Sequence, residues 1–126
     1  MMTERTLRDS RVLVAEDEYL LASELQAALE EAGAFVIGPF ASLGDATSAI
    51  EREPSMDGAI LDANLGGEMV FSAADLLLAR RVPFIFTTGY DASAIPARFS
   101  GIVRCEKPVS IKKVTQAIGR ALGSPG

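Results

Sequence analysis

Four of the chain's five short apolar runs stop on a polar residue at the point where a strand would end. Residues 12–15 run into Glu16-Asp17, 59–61 into Asp62, 84–86 into Thr87-Thr88, and Ile102-Val103 continues through Arg104-Cys105-Glu106 to Lys107-Pro108. The runs are continuous rather than alternating, which is the pattern of parallel strands covered on both faces. Parallel strands point the same way, so these groups gather at one edge of one sheet, outside the carboxyl ends where open α/β sheets bind ligands. Three carboxylates, a hydroxyl and an ammonium then share a crevice.

Segments of helical period separate the runs. Leu21, Leu25, Ala28, Leu29 and Ala32 fall on one helix face, with Gly33 placed to end that helix. Leu43, Ala46, Thr47 and Ile50 give a second face, Val70, Ala74, Leu77 and Leu78 a third, and Ile111, Val114, Ile118 and Leu122 a last one. Only residues 91–99 are poor in this respect, because Pro96 interrupts them and confines any helix there to a short piece. Strands at 12–15, 35–37, 59–61, 84–87 and 102–103 leave room for the dozen or more residues that each right-handed crossover requires. The prediction is an α/β fold, a (βα)5 doubly wound parallel sheet in strand order 2-1-3-4-5. Its switch point lies between the first and third strands, where Glu16, Asp17 and Asp62 meet.

The 126 residues are expected to make one domain, 1–126, with a core over about 11–122, and no separate output or catalytic module is expected within them. With 48% hydrophobic and 23% charged residues and a net charge of -5, this is an ordinary acidic globular chain. Its 12 Lys and Arg are scattered, so no basic face for nucleic acid is expected. No run approaches the ~20 apolar residues of a membrane span. Cys105 stands alone, which excludes an intramolecular disulfide and fits a reducing compartment. Residues 1–11 lack the apolar stretch of a signal peptide, so the expected location is the cytoplasm. Histidine is absent, which removes His-containing triads, His metal sites and any role as a histidine phosphocarrier.

Each polar residue at the edge has an ordinary structural use. Glu16-Asp17-Glu18 complements the dipole of the first helix, Asp62 suits a turn before Asn64-Leu65-Gly66-Gly67, Thr88-Gly89 suits a loop, and Lys107 is by default a solvated charge. Their convergence on one sheet edge is what points to phosphoryl chemistry.

The motifs Val-Leu-Val-Ala-Glu-Asp-Glu at 12–18, Ile-Leu-Asp-Ala-Asn-Leu at 60–65, Phe-Thr-Thr-Gly-Tyr at 86–90 and Glu-Lys-Pro at 106–108 together resemble the receiver domain of two-component response regulators. The resemblance runs in order over about 11–122 and implies the flavodoxin-like form of the doubly wound sheet. It implies that Asp62 is the phosphoacceptor, taking a phosphoryl group from a sensor histidine kinase or a histidine phosphotransfer protein. It further implies Mg2+ held directly by Asp17, Asp62 and the backbone carbonyl of Asn64, with Glu16 acting through a water. Lys107 is then expected to pair with a phosphoryl oxygen, Thr88 to donate its hydroxyl to another, and the Lys107–Pro108 peptide to be cis. These roles fit the chemistry, since a carboxylate is a nucleophile at neutral pH and phosphoryl transfer mainly needs positioning and charge neutralisation.

Residues 86–90 resemble in particular the stand-alone receivers with a Phe-X-Thr-Gly-Tyr sequence. The pattern departs at Arg104, where many receivers carry an aromatic residue three positions before the lysine; a long charged side chain there is expected to stay at the surface. The resulting expectation is a single-domain response regulator in a phosphorelay that signals to a downstream protein by contact. It binds neither nucleic acid nor membrane, and catalyses only its own phosphorylation and dephosphorylation. Two other readings belong beside it. One is a Mg2+-dependent phosphohydrolase with an Asp nucleophile, which usually wants a second acid two residues on, where this chain has Asn64. The other is a receiver-like docking module that is never phosphorylated.

Overall fold

A computed structural model of the chain describes residues 7–89 and 95–123. Tyr90, the segment 91–94, the polar start at 1–6 and the tail at 124–126 lie outside the described residues. In chain order the elements are β1 (Arg11–Ala15), α1 (Tyr19–Glu31), β2 (Phe35–Phe40), α2 (Leu43–Arg52), β3 (Gly58–Asp62), β4 (Asn64–Leu65), β5 (Glu68–Met69), α3 (Phe71–Ala79), β6 (Phe84–Thr88), β7 (Arg104–Glu106) and α4 (Ile111–Ala121), with a 3-10 turn at Ala97–Phe99.

Five parallel strands form one sheet in the order β2-β1-β3-β6-β7, which is the predicted order 2-1-3-4-5 of the main strands. Alternate side chains go to opposite faces. Leu13, Leu61, Phe84 and Phe86 pack with Ala49 and Ile50 of α2 and Leu77 of α3 on one side. Val12, Val14, Ile60 and Ile85 pack with Leu25 and Leu29 of α1 and Val114 and Ile118 of α4 on the other. Four helices are present among the described residues, each on a predicted face.

The helix ends follow the sequence. Ser42 and Ser110 accept from the backbone N–H groups of Asp45 and Lys113 and so cap α2 and α4. Gly33, at φ +101°, ends α1, and a Cβ there would meet the Arg8 Cα at 2.8 Å. The guanidinium of Arg80 donates to the carbonyls of Ile50 and Glu53 and satisfies the last turn of α2.

Three details differ from the prediction. The fifth strand is Arg104–Glu106, not 102–103: Ile102 donates its N–H to Phe99 O at 2.9 Å in a turn, and Val103 is half exposed. An edge strand needs few inward side chains, and Cys105, which packs at the margin of the core, suffices here. The second strand runs three residues further than predicted, to Phe40, past a cis Gly38–Pro39 peptide, which an edge strand tolerates. Residues 64–67, read as turn sequence, belong to a small antiparallel hairpin over 64–69. Its two-residue turn has positive φ at both Gly66 and Gly67, the geometry glycine supplies most readily.

Between β6 and β7 the predicted short helix survives, among the described residues, only as the 3-10 turn following Pro96. Phe99 is fully buried in that turn. It stacks on Phe71 at 5.7 Å and meets Phe86 edge-on at 5.6 Å, while Arg98 forms a two-pronged ion pair with Asp75 of α3. The far end of the loop is thereby fixed to the strand that carries Thr88.

Candidate functional site

The carboxyl ends of β1, β3 and β6 and the residue following β7 converge at one sheet edge. Glu16 extends β1 by one residue and donates its N–H to Phe40 O at 2.9 Å, and the residue is only 3% exposed. The chain then turns outward, so Asp17 is exposed, and Glu18 has the extended backbone of a helix N-cap before α1 begins at Tyr19. Asp62 is the last residue of β3, also 3% exposed, and its Oδ1 accepts the Asn64 N–H at 3.1 Å. Asn64 itself is exposed, and its Oδ1 accepts the Gly67 N–H at 3.0 Å in the hairpin turn. Thr88 closes β6, buried, and its Oγ1 finds no hydrogen-bond partner among the described residues.

Lys107 reaches the cluster from the carboxyl end of β7, the outermost strand on that side. Its backbone N–H donates to Thr88 O at 2.7 Å, and the peptide that follows, to Pro108, is cis, as the resemblance implied. From there the Nζ donates to Asp62 Oδ2 at 2.9 Å, Glu18 Oε1 at 3.0 Å and Glu16 Oε2 at 3.4 Å. The structure thus brings Glu16, Asp17, Asp62, Thr88 and Lys107 to one place, with Asn64 two residues beyond Asp62. Arg104, three residues before Lys107, is exposed as expected.

Burial dominates the electrostatics. It pushes the Glu16 carboxyl from its ordinary 4.5 up to about 7; the Glu18 N–H and the Lys107 charge pull it down, and the nearby Asp62 charge pushes it up further. Burial also raises Asp62, against the opposing pull of its hydrogen bond to Lys107 and of the Lys107 charge. Lys107 is disfavoured as an ammonium by burial, yet its bonds to Asp62 and Glu18 and the fields of Asp62 and Glu16 outweigh this and hold it charged.

One carboxylate oxygen from each of Glu16, Asp17 and Asp62 lies within 4.8 Å of the others. Glu16 Oε1 is buried and without a hydrogen-bond partner among the described residues. A buried, unpaired carboxylate oxygen is costly, and an all-oxygen donor set of this kind suits a hard divalent cation. The residues therefore fit a metal ion.

Two features escape a reading of the sequence. Glu18, counted there with the helix-opening acids, makes no capping bond and gives its side chain to Lys107, 89 residues away. Thr87 is fully buried beside Asp62 in the ladder, and its hydroxyl too finds no hydrogen-bond partner among the described residues. Nothing local in the sequence marks either feature.

No family model matches the chain, and no curated protein matches it. Solved structures do. SdrG from Sphingomonas melonis Fr1 is 31% identical over 98% of each chain, with a TM-score of 0.74. A response regulator receiver protein from Sinorhizobium medicae WSM419, 20% identical, covers 93% of this chain and 97% of its own with a TM-score of 0.78. This chain belongs to the response regulator receiver domains. SdrG from Pseudomonas melonis Fr1 has also been solved in a BeF3-activated conformation, which is 31% identical over 96% of this receiver and 99% of that chain at a TM-score of 0.72. No helix among the described residues is long and apolar enough to cross a membrane.

Proposed function

We propose that this receiver is phosphorylated on Asp62 in a cytoplasmic phosphorelay, taking the group from a sensor histidine kinase or a histidine phosphotransfer protein and passing the change to a downstream protein by contact. The observation that carries the proposal is the state of Asp62: it is buried at the sheet edge, one oxygen on the Asn64 N–H and the other on the Lys107 ammonium, beside Glu16 and Asp17. A relative at 31% identity that adopts a BeF3-activated conformation supports the same chemistry here, because beryllofluoride mimics a phosphoryl group.

In this reading an Asp62 carboxylate oxygen attacks phosphorus and forms an acyl phosphate. The P–N bond to the donor imidazole breaks, and its electron pair stays on the nitrogen, which takes up a proton. Lys107, already within hydrogen-bond distance of Asp62, follows the new negative charge, and the unpartnered Thr88 hydroxyl supplies a second donor. Asp17, Asp62, the Asn64 carbonyl and, less directly, Glu16 would hold Mg2+, which would neutralise charge on the phosphoryl oxygens. Hydrolysis by water later returns the carboxylate and inorganic phosphate, so the protein acts only on itself. A phosphohydrolase reading is disfavoured, because Asn64 cannot protonate a leaving group and its amide oxygen is committed to the Gly67 N–H.

Incubation with acetyl phosphate and Mg2+ followed by intact-mass measurement tests the proposal. A labile gain of one phosphoryl group, absent in Asp62→Asn, is expected. No adduct, an adduct that persists in that variant, or turnover of varied phosphate esters overturns the reading.

A further inference from the structure

An ammonium has three N–H bonds, and in this receiver all three of those on Lys107 are used: by Asp62 at 2.9 Å, Glu18 at 3.0 Å and Glu16 at 3.4 Å. A phosphoryl oxygen on Asp62 can pair with Lys107 only by displacing one of these acceptors. Asp62 and Glu16 belong to the acidic cluster that fits a cation. Glu18 does not; it approaches Lys107 from the solvent side, with 61% of its side chain exposed. It has no other assignment, for although it stands at the N-cap of α1 it makes no side-chain cap bond. Glutamate is one methylene too long for the usual cap, and the same extra reach lets it span to Lys107.

We infer that Glu18 is a positioning residue that holds the Lys107 ammonium against the incoming phosphoryl group and so sets the rate at which this receiver accepts one. The inference rests on the reading of Asp62 as phosphoacceptor. It concerns the carboxylate's contact with Lys107, not merely its negative charge near the site. Glu24 separates the two. It lies on the same helix and borders the same groove, formed with Leu20, Leu21, Pro108 and Val109, but makes no bond to Lys107.

Three variants and one donor test it. Glu18→Gln removes the charge and weakens the contact, Glu18→Asp keeps the charge but withdraws it toward the helix N-terminus as a cap, and Glu24→Gln removes a charge without touching Lys107. With acetyl phosphate and Mg2+, the initial rate of adduct formation by intact mass should rise about two- to fivefold in both Glu18 variants, the scale of one exposed charge-assisted contact, and stay near wild type in Glu24→Gln. The Lys107 side-chain NMR resonances of the metal-free protein should shift in both Glu18 variants and not in Glu24→Gln, a readout that helix stability alone does not move. Wild-type behaviour in Glu18→Asp, with equal acceleration in Glu18→Gln and Glu24→Gln, would show that only bulk charge matters and overturn the inference. Equal rates in all four proteins overturn it too. If the wild type forms no adduct at all, the assignment of Asp62 fails first and this inference fails with it.

Discussion

Replacing Glu16 by Gln is expected to stabilise the metal-free receiver at neutral pH and to leave it nearly unchanged at pH 5. Burial raises the folded-state carboxyl from 4.5 to about 7, whereas the unfolded chain keeps the ordinary value. Between these two values the folded protein binds more protons than the unfolded one, so stability falls as pH rises. The contribution of this group is fully present below about pH 4.5 and is lost by about pH 7. At 1.36 kcal/mol per pH unit the loss amounts to about 3 kcal/mol. Gln cannot ionise, so it escapes that loss. Its amide oxygen can still accept the Glu18 N–H, which reaches Glu16 Oε2 at 3.0 Å, and loses only the charge assistance in the 3.4 Å hydrogen bond from Lys107 to the same oxygen. Subtracting roughly 1 kcal/mol for that charge assistance leaves a gain of about 1–3 kcal/mol at pH 8, or about 4–12 °C in Tm for a chain of this length. Thermal unfolding in EDTA at pH 5, 6, 7 and 8 measures it. A variant-minus-wild-type difference in Tm that is the same at pH 5 and pH 8 would refute the reasoning, since the carboxyl would then carry no raised pKa. Adding Mg2+ should shrink the difference at pH 8, because a ligand that binds only the folded state stabilises the better binder more.

Asp17→Asn should weaken Mg2+ binding more than Glu16→Gln, since only Asp17 is expected to touch the ion directly; equal losses in a Mg2+ titration would contradict that arrangement. Gly33→Ala should destabilise by about 1–3 kcal/mol in urea unfolding, because φ is +101° and the new Cβ would meet the Arg8 Cα at 2.8 Å. Phe99→Ala should cost about 3–5 kcal/mol, as it empties the centre of the ring cluster formed with Phe71, Phe84 and Phe86; a loss below 1 kcal/mol would mean that the 3-10 turn is not anchored there.

What the sequence made legible follows from what is local in it. Helix faces repeat every three or four residues and buried strands are unbroken apolar runs, so the elements, their order and the edge at which Glu16, Asp17, Asp62 and Thr88 stand could be read without coordinates. The fifth strand was misplaced by two residues because an edge strand hardly needs the apolar run that identifies a central one: β7 is Arg-Cys-Glu, and the apolar pair before it goes to a turn and to solvent. The hairpin at 64–69 was missed because glycine pairs mark a turn without saying that two residues on each side will bond. The least legible feature is the most consequential one for the site. The backbone of Lys107 is tied to Thr88 by its N–H, and from there its four-carbon side chain can settle on any acceptor within reach. Which acceptors those are depends on where β1 hands over to α1 across the sheet. That handover leaves Glu16 turned inward, Asp17 outward and Glu18 facing back across the crevice. The three consecutive acids are therefore alike in sequence and distinct in space: one is buried and raised toward neutrality, one is open to a cation, and one shares the lysine ammonium with Asp62.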